Sequence, residues 1–539
     1  MRNIVKIFRS YCFASIVSAV LLWLAFPPHS LTFCLWFALV PLMMALDRCP
    51  PSKGFQIGYL SGFVFFSLVL SWLLCLTQWF SVIAAVGVVA LYAYLASYFG
   101  LFAWFYSRYR SKTWGFFIAV ICFWVMLEYV RAHLFSGFDW ASLGYALFKQ
   151  TRFIQIADIT GVYGVSFIIL TVNIVWKDWA NSIVRIIQEA YKPDQKNEAC
   201  GCCYKQKLFM CQFLFMLLLL GATALYGQNH LKERLEVLKS GSNPVLHVAV
   251  LQGNIPQDKK WQTPFWHQNL ETYIQLTREA AQAGPDLIVW PETSLPGIIP
   301  NQDFYFQRLK DVVEEIHIPV LCGTVVAYDK QYYNVALYLS AQARVVREYL
   351  KVHLVPFGEY VPGRHIFPGI MQLIPIEDFS AGRNHVLFLA PVRHKETWRF
   401  AALICFEDTV SSLARSFVSA GADLFINITN DAWFPGTVAP IMHLQGSVFR
   451  SVEMRRAMVR SANTGFSGFI DPWGTVTQFV QDASGRSLEI KGYAVDGVLM
   501  NRRKSFYAVY GDVFVLFCLA LFICFFVSAL RGVNKQRTG

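Results

Sequence analysis

Three polar residues, Glu292, Lys351 and Cys405, each follow an apolar run that is typical of a buried strand. Because open α/β sheets usually bind ligands where strands end, we expect the three side chains to converge at one edge of a sheet. A thiol with a pKa of about 8.5 is mostly protonated at neutral pH. A neighbouring carboxylate can take its proton, and an ammonium can stabilise the thiolate and the oxyanion formed on attack. None of the three residues is diagnostic alone, since a strand-end cysteine is more often a packed core residue.

The segment 230–505 must position these residues, and its pattern is that of an α/β domain. Apolar, β-branched runs predict buried strands. They read VLHVAVLQGNI, DLIVWPE, PVLCGTVV, YNVALYLS, RVVREYL and FAALICFED. Helical patterns lie between some of them, near 263–283, 303–316, 409–420 and 447–461. A stretch of this length is enough for one well-buried domain.

The remainder of the chain has the composition of a membrane protein. Of 539 residues, 55% are hydrophobic and 15% are charged, and the mean hydropathy is +0.40. A typical soluble domain is about one quarter charged. Apolar runs long enough to span a bilayer recur near 11–27, 31–46, 55–79, 82–107, 113–130, 160–178, 207–227 and 511–530. We therefore expect a helical membrane domain with about eight spans.

The basic residues predict the orientation of these spans. They lie at the N-terminus, in alternate loops and in the C-terminal tail, which all fall on one side if there are about eight spans. By the positive-inside rule that side is cytoplasmic, so the large polar segment and the loop 131–159 lie outside the cytoplasm. This predicts a membrane domain over 1–229, a catalytic domain over 230–505, and a last span with a cytoplasmic tail over 506–539.

Several other classes of function find little support in the sequence. The net charge of +12 is explained by orientation in a bilayer, so nucleic-acid binding is not expected. The chain has 13 cysteines, but the polar segment holds only Cys322 and Cys405, which does not indicate a disulfide framework. No metal site or glycine-rich nucleotide loop is visible, and no cofactor is implied.

The local context of the three polar residues resembles a known superfamily. VWPETSLPG around Glu292, YLKVHLVPFGEYVP around Lys351 and LICFEDTV around Cys405 resemble the three motifs of the nitrilase superfamily, in its order. Seven upstream spans and one downstream span are similar to the apolipoprotein N-acyltransferase family. LQGNIPQDKKW, NDAWF, GFDWASLGYA and GVYGVSF resemble that family as well. Asp139 stands where its outer loop commonly has proline.

This resemblance implies a fold and a reaction. The fold is an αββα sandwich outside the cytoplasm, joined to the membrane domain. Cys405 would attack an acyl ester of a phospholipid, Glu292 would act as general base, and Lys351 would stabilise the oxyanion. Glu359 would support the base or the lysine electrostatically, and Glu407 would orient the site. The resulting thioester would pass its acyl chain to the N-terminal diacylglyceryl cysteine of an apolipoprotein. A monomer in the bacterial inner membrane, with its catalytic domain on the periplasmic side, is expected.

Apolar residues suggest how acyl chains reach the thiol. The stretch 361–376 is too broken by prolines for a core helix and too apolar for an ordinary loop, so we expect it to dip into the outer leaflet. The alternative is that it packs on the spans. Trp261, Trp433 and Phe434 are candidates for the same entrance, and Trp140 is a candidate to close it from the membrane side.

Three other functions stay open from the sequence. A membrane-anchored nitrilase or amidase acting on a small C–N substrate would use the same trio. A transporter or receptor with an inactive outer domain is disfavoured because intramembrane charges are sparse. His353 and His443 also leave room for a Cys–His hydrolase, although no Asn or Asp partner pattern accompanies them.

Overall fold

The computed structural model describes residues 11–190, 199–241, 244–299, 303–362, 378–391 and 398–537. The chain divides into two compact units. The helical unit comprises 1–74, 84–229 and 512–539, and the catalytic unit comprises 75–83 and 230–511. The short segment 75–83 thus belongs with the catalytic unit, although it lies where the sequence pattern predicts membrane spans.

The helical unit is built from apolar helices. Their bounds are Tyr11–Ala25, Val40–Leu46, Pro51–Val69, Thr77–Tyr109, Trp114–His133, Thr151–Ile154, Ala157–Thr160, Val162–Ala190, Ala199–Ser240 and Val513–Arg537, of which two run on into the catalytic unit. Among the described residues, three are long and apolar enough to cross a membrane, or up to five if each of two bent pairs is one span. Three shorter apolar helices accompany them. The apolar helices are confirmed, and the number of eight spans stays a prediction.

Small residues let two of these helices approach closely. A Cβ on Gly58 would meet the Ala103 Cβ at 2.3 Å and the Phe99 carbonyl oxygen at 2.5 Å. Gly54 and Gly62, one turn away on either side, are equally crowded. Without a hydrophobic driving force between helices in lipid, such close backbone packing is a main source of helix association. The helix Pro51–Val69 therefore packs on Thr77–Tyr109 through its glycine face.

The catalytic unit contains two β-sheets, which confirms the α/β prediction. Its strands are β1 (Val245–Gln252), β2 (Leu287–Val289), β3 (Ile298–Ile299), β4 (Val320–Tyr328), β5 (Gln331–Leu339), β6 (Val345–Leu350), β7 (Leu387–Leu389), β8 (Arg399–Ile404), β9 (Leu424–Thr429), β10 (Ala457–Ala462), β11 (Gly468–Ile470), β12 (Val476–Phe479) and β13 (Gly492–Leu499). One sheet has the order β13-β1-β2-β4-β5-β6, with β3 beside β4. The other has the order β12-β11-β10-β9-β8-β7.

The two sheets contact each other through buried side chains. Ser461 of β10 donates hydrogen bonds to the carbonyl oxygens of Leu251 and Val289, in β1 and β2, over 2.9 and 3.1 Å. The rings of Tyr338 and Phe400 lie 5.6 Å apart between β5 and β8. Strands β8 and β9 are almost wholly buried, which explains their nearly continuous apolar sequences.

Helices accompany both sheets. They span Gln257–Lys260, Thr263–Ala281, Asp303–Ile316, Ser411–Ala420, Ala439–Met454 and Phe506–Tyr510. The predicted helix near 447–461 is wrong in its second half. The helix ends at Met454, Arg455 turns the chain with a φ of 51°, and β10 begins at Ala457. Its strand residues pair with β9 in parallel register.

Candidate active site

The thiol of Cys405 stands at a sharp turn directly after β8. Cys405 has a φ of 54° and begins a 3₁₀ turn that ends at Thr409. A non-glycine residue in this region costs on the order of 1 kcal/mol, so the surroundings must hold it there. Asn427 Nδ2 donates to the Cys405 carbonyl oxygen over 3.0 Å, and His443 Nε2 lies 3.3 Å from the same oxygen.

Glu292 lies beyond the end of β2 and is almost fully buried. Its Oε1 accepts a hydrogen bond of 2.7 Å from Asn334 Nδ2 of β5. The backbone at Glu292 and Thr293 can pass close to β4 only because position 323 of that strand is glycine. A Cβ on Gly323 would meet the Cα of Glu292 and the amide nitrogen of Thr293 at 2.5 Å each.

Lys351 follows β6 and is 1% exposed. Its Nζ lies 2.8 Å from Glu359 Oε1 and 3.7 Å from Glu292 Oε1. Asn334 also donates to Glu359, over 3.0 Å, and so ties the two carboxylates together. Burial lowers the pKa of Lys351, but the charges of Glu359 and Glu292 outweigh burial and hold that pKa above its ordinary value. Lys351 is therefore a fixed cation across the neutral range.

The electrostatics of Cys405 favour the protonated thiol. Burial raises the pKa of Cys405 and the charge of Glu292 raises it further, while Lys351 and Thr429 act in the opposite direction. The net effect is a pKa well above the ordinary thiol value. A resting thiol of this kind needs a base at the moment of attack, and the Glu292 carboxylate is the acid group that interacts most strongly with it.

Glu407 is fully buried and holds the loop that follows Lys351. Its Oε1 accepts hydrogen bonds from the Tyr349 hydroxyl and from the amides of Val352 and His353, over 2.8 to 3.0 Å. Its Oε2 accepts from the Ile404 amide over 2.8 Å. The charge of Lys351 and these hydrogen-bond donors favour the ionised form of Glu407, but burial outweighs them and raises the pKa of Glu407 to about 7. Glu407 thus links the Cys405 turn to the Lys351 loop.

A second buried charged cluster lies behind the Cys405 turn. His443 Nε2 lies 2.8 Å from Asp408 Oδ1, and His443 Nδ1 lies 3.1 Å from Asp431 Oδ1. Arg460 contacts both aspartates. The expectation that no aspartate accompanies His443 is therefore wrong. His443 Nε2 also lies 3.3 Å from the Cys405 carbonyl oxygen. Among the described residues, no cluster of His, Cys, Asp and Glu is arranged to hold a metal ion.

The three sequence-predicted residues do not share one sheet edge. Glu292 and Lys351 follow strands of the first sheet, whereas Cys405 follows a strand of the second. The structure brings them together across the two sheets, and the prediction of a single edge is wrong. The reason is topological, since the sequence pattern of a buried strand does not say which sheet it joins.

The candidate entrance residues have different surroundings. Trp261 is 44% exposed. Trp433 and Phe434 are half-buried, and the Trp433 ring stacks on Phe80 with centroids 6.0 Å apart. Trp140 belongs to the helical unit, where it packs against Trp72 with centroids 4.8 Å apart. The stretch 361–376 lies outside the described residues except for its first two positions.

Sequence reasoning missed three residues of the site. Asn334 is the polar residue inside the apolar run YNVALYLS, which is a usable signal, because a buried amide needs partners. Gly323 interrupts the strand PVLCGTVV, which often marks a close backbone approach. Lys260 is buried, and its Nζ donates to the Glu292 carbonyl oxygen over 2.9 Å. Nothing in the motif PQDKKW distinguishes Lys260 from the exposed Lys259 beside it.

Two family models match the chain. Residues 18–175 match the apolipoprotein N-acyltransferase N-terminal domain, and residues 247–487 match carbon-nitrogen hydrolase. An amidase structure from Nesterenkonia sp. is 16% identical, covers 50% of this chain and 94% of its own, and gives a TM-score of 0.35.

Curated relatives match almost the whole chain. An apolipoprotein N-acyltransferase of Geobacter metallireducens is 36% identical over 95% of this chain and 94% of its own length. One of Methylococcus capsulatus is 29% identical over 85% of this chain and 86% of its own length. With this identity over this length, and with both of its parts matched by family models, the chain belongs to the apolipoprotein N-acyltransferase family.

Proposed function

We propose that this protein transfers an acyl chain from a membrane phospholipid to the N-terminal amine of the diacylglyceryl cysteine of apolipoproteins. The reaction proceeds in two halves through a thioester on Cys405. The observation that carries this proposal is that the buried residues Glu292 and Lys351 lie 3.7 Å apart and that the charges of both act on Cys405. Membership of the family adds the nature of the donor and the acceptor.

In the first half, Glu292 takes the proton of the Cys405 thiol as sulfur attacks the ester carbonyl carbon. Lys351 and nearby backbone N–H groups stabilise the oxyanion. The carbon–oxygen bond then breaks, and Glu292 returns the proton to the departing lysophospholipid hydroxyl. Because the pKa of Cys405 is raised by burial and by Glu292, proton transfer and attack belong to one step.

In the second half, the amine of the acceptor cysteine attacks the thioester carbonyl. Glu292 accepts the amine proton, the carbon–sulfur bond breaks, and the thiol of Cys405 is restored. Water must compete poorly, since otherwise the enzyme would be a phospholipase. The burial of Glu292, Lys351 and Glu359 supports a site that excludes bulk water.

The finer architecture is part of the same proposal. The catalytic unit is an αββα sandwich on the periplasmic side of the inner membrane, and about eight helices span the bilayer. The helices and strands of the catalytic unit support the sandwich, and the apolar helices support the spans. The alternation of basic loops supports the orientation in the membrane. The protein acts as a monomer. Trp261, Trp433 and Phe434 line the acyl entrance, and Trp140 closes it from the membrane side.

A labelled-donor experiment tests the function. Purified protein is incubated with phospholipid that carries a labelled acyl chain, with and without a diacylglyceryl-cysteine peptide. We expect a hydroxylamine-sensitive label on the protein that chases to the peptide. Cys405→Ala should abolish both signals, whereas Cys322→Ala, at a buried cysteine of β4, should keep them. Acylation of the peptide by Cys405→Ala would refute the role of the thiol.

Glu292→Gln separates the base from the nucleophile. It should slow thioester formation by a factor on the order of 10² or more, because it removes the proton acceptor. Rapid labelling of this variant would remove Glu292 as the base. Turnover of a small amide or nitrile without any label from phospholipid would instead support the membrane-anchored amidase.

A further inference from the structure

Lys260 is a second buried cation in the active site. It ends the short helix Gln257–Lys260 and is 5% exposed. Its ammonium group has three N–H donors. Within the part of the chain that the structure describes, its Nζ donates one hydrogen bond, of 2.9 Å, to the Glu292 carbonyl oxygen. Two donors of a buried ammonium group are thus left for another acceptor, which is uncommon and costly.

The position of Lys260 relates it to the reacting groups. Its charge interacts with the Glu292 carboxylate and with Cys405. The neighbouring cation, Lys351, is already engaged by Glu359 at 2.8 Å and by Glu292 at 3.7 Å. When these three are ionised, the two carboxylates exceed the one ammonium group by one negative charge. When Glu292 takes the proton of Cys405, the negative charge moves to sulfur or to the tetrahedral oxygen, and the excess of one negative charge remains.

We propose that Lys260 supplies the compensating positive charge for the negative charge that develops on the Cys405 sulfur during attack and that the tetrahedral oxygen then carries. With Lys260, the two carboxylates of Glu292 and Glu359 are balanced by two ammonium groups. Its spare N–H donors provide hydrogen bonds that become available when the anion appears, which lowers the barrier more than it stabilises bound substrate. The inference rests on the proposed role of Cys405, and it adds a residue to that mechanism.

The pKa of Lys260 predicts how this role should depend on pH. Burial lowers the pKa of Lys260 to about 8, against the charges of Glu292 and Cys405, which raise it. Lys260 is therefore a cation below pH 8 and becomes neutral above it. Thioester formation should fall as the pH rises above 8, although free thiols become more reactive there. Other charged groups near the thiol are Lys351, Glu359, Glu407 and Asp431. The pKa of Lys351 lies above this range, and burial raises the pKa of Glu407 only to about 7.

The first test uses a reaction that needs no acyl donor. The rate at which iodoacetamide alkylates Cys405 is measured against pH in the full-length protein, for wild type, Lys260→Met and Lys260→Arg. Below pH 8, Lys260→Met should slow the alkylation of Cys405 by roughly tenfold, because it removes a cation that favours the thiolate, and the difference should disappear above pH 8, where Lys260 is neutral. Lys260→Arg should keep the wild-type rate below pH 8. Lys259→Met is the matched control, since Lys259 is adjacent and exposed, and it should change nothing.

The second test measures thioester formation from labelled phospholipid. Lys260→Met should reduce it by a factor on the order of 10², and Lys260→Arg should restore activity and remove the fall above pH 8. A folded Lys260→Met variant whose alkylation rate below pH 8 matches wild type would overturn the inference, and so would an equal loss of rate in Lys259→Met. If Lys260→Met does not fold, an unchanged alkaline fall in Lys260→Arg would overturn it. Because alkylation requires no acyl transfer, it can fail or succeed independently of the proposed function.

Discussion

Asn334 of β5 donates a hydrogen bond of 2.7 Å to the carboxylate of Glu292. The same amide group donates to Glu359, so one side chain holds two like charges close together. Asn334→Ala removes this donor and leaves the carboxylates to repel each other. We expect thioester formation to fall by roughly 10- to 100-fold, because the base is no longer oriented. Gln331→Ala, at the exposed start of the same strand, should have no effect, and equal losses in both variants would contradict this role.

Much of this unit was predictable from local patterns. The apolar runs before Glu292, Lys351 and Cys405 are strands, because buried strands read as continuous apolar sequence. The pairing of the strands was not predictable, since Cys405 enters from the second sheet. The end of the helix at Met454 was also missed. A left-handed turn there would usually be signalled by glycine, but Arg455 adopts it.

The hydrogen-bond partners of the buried polar residues could not be predicted from the sequence either. Lys260 and Glu292 are far apart in the sequence, and their hydrogen bond depends on the fold. His443 reaches Asp408 from the helix Ala439–Met454 across the turn that Cys405 begins. A single sequence records such residue types but not their distances. The motifs located the reacting groups, and the structure supplied what orients them.

Gly323→Ala should displace Glu292. The new methyl group would lie 2.5 Å from backbone atoms of residues 292 and 293, which cannot rotate away. Overpacking of this kind costs typically 1–3 kcal/mol, so we expect a lower Tm and a thioester rate reduced on the order of 10²-fold. Gly221→Ala meets nothing within 4 Å and is the control. Wild-type rates in Gly323→Ala would mean that this close approach does not position Glu292.

Glu407→Gln should destabilise the loop that carries Lys351. The carboxylate accepts four hydrogen bonds, and a glutamine would direct an NH₂ group at one of those donors. A buried unsatisfied donor costs about 1–3 kcal/mol. Thermal unfolding followed in detergent should show a lower Tm, together with slower thioester formation. Glu314→Gln changes an exposed carboxylate and should leave both quantities unchanged; a similar Tm for the two variants would be the contrary result.

His443 should make stability depend on pH. Burial and Arg460 lower its pKa, but Asp408 and Asp431 outweigh them and raise it to about 9, above the ordinary 6.5. The folded state therefore binds the proton more tightly than the unfolded state does. The resulting stabilisation, up to about 3 kcal/mol, is complete below pH 6.5 and is lost as the pH rises to 9.

The comparison with His443→Gln measures this contribution. The difference in Tm between wild type and the variant should be largest at pH 6 and should shrink toward pH 9. His267→Gln replaces an exposed histidine and should show a small, constant difference. A constant, large difference for His443→Gln would mean that the loss comes from packing or neutral hydrogen bonds rather than from the charged cluster.

Trp79 and Phe80 should determine how tightly the acyl donor binds. Trp79 Nε1 donates to the Trp433 carbonyl oxygen over 3.0 Å, and Phe80 stacks on the Trp433 ring. Both belong to the segment 75–83 of the catalytic unit. Trp79→Phe keeps an aromatic ring but removes the hydrogen bond, worth about 1 kcal/mol.

If Trp433 lines the acyl entrance, KM of the Trp79→Phe variant for phospholipid should rise about fivefold with kcat nearly unchanged. Trp176→Phe, at an exposed ring of the helical unit, is the control and should match wild type. A fall in kcat at constant KM would assign Trp79 to the catalytic step instead.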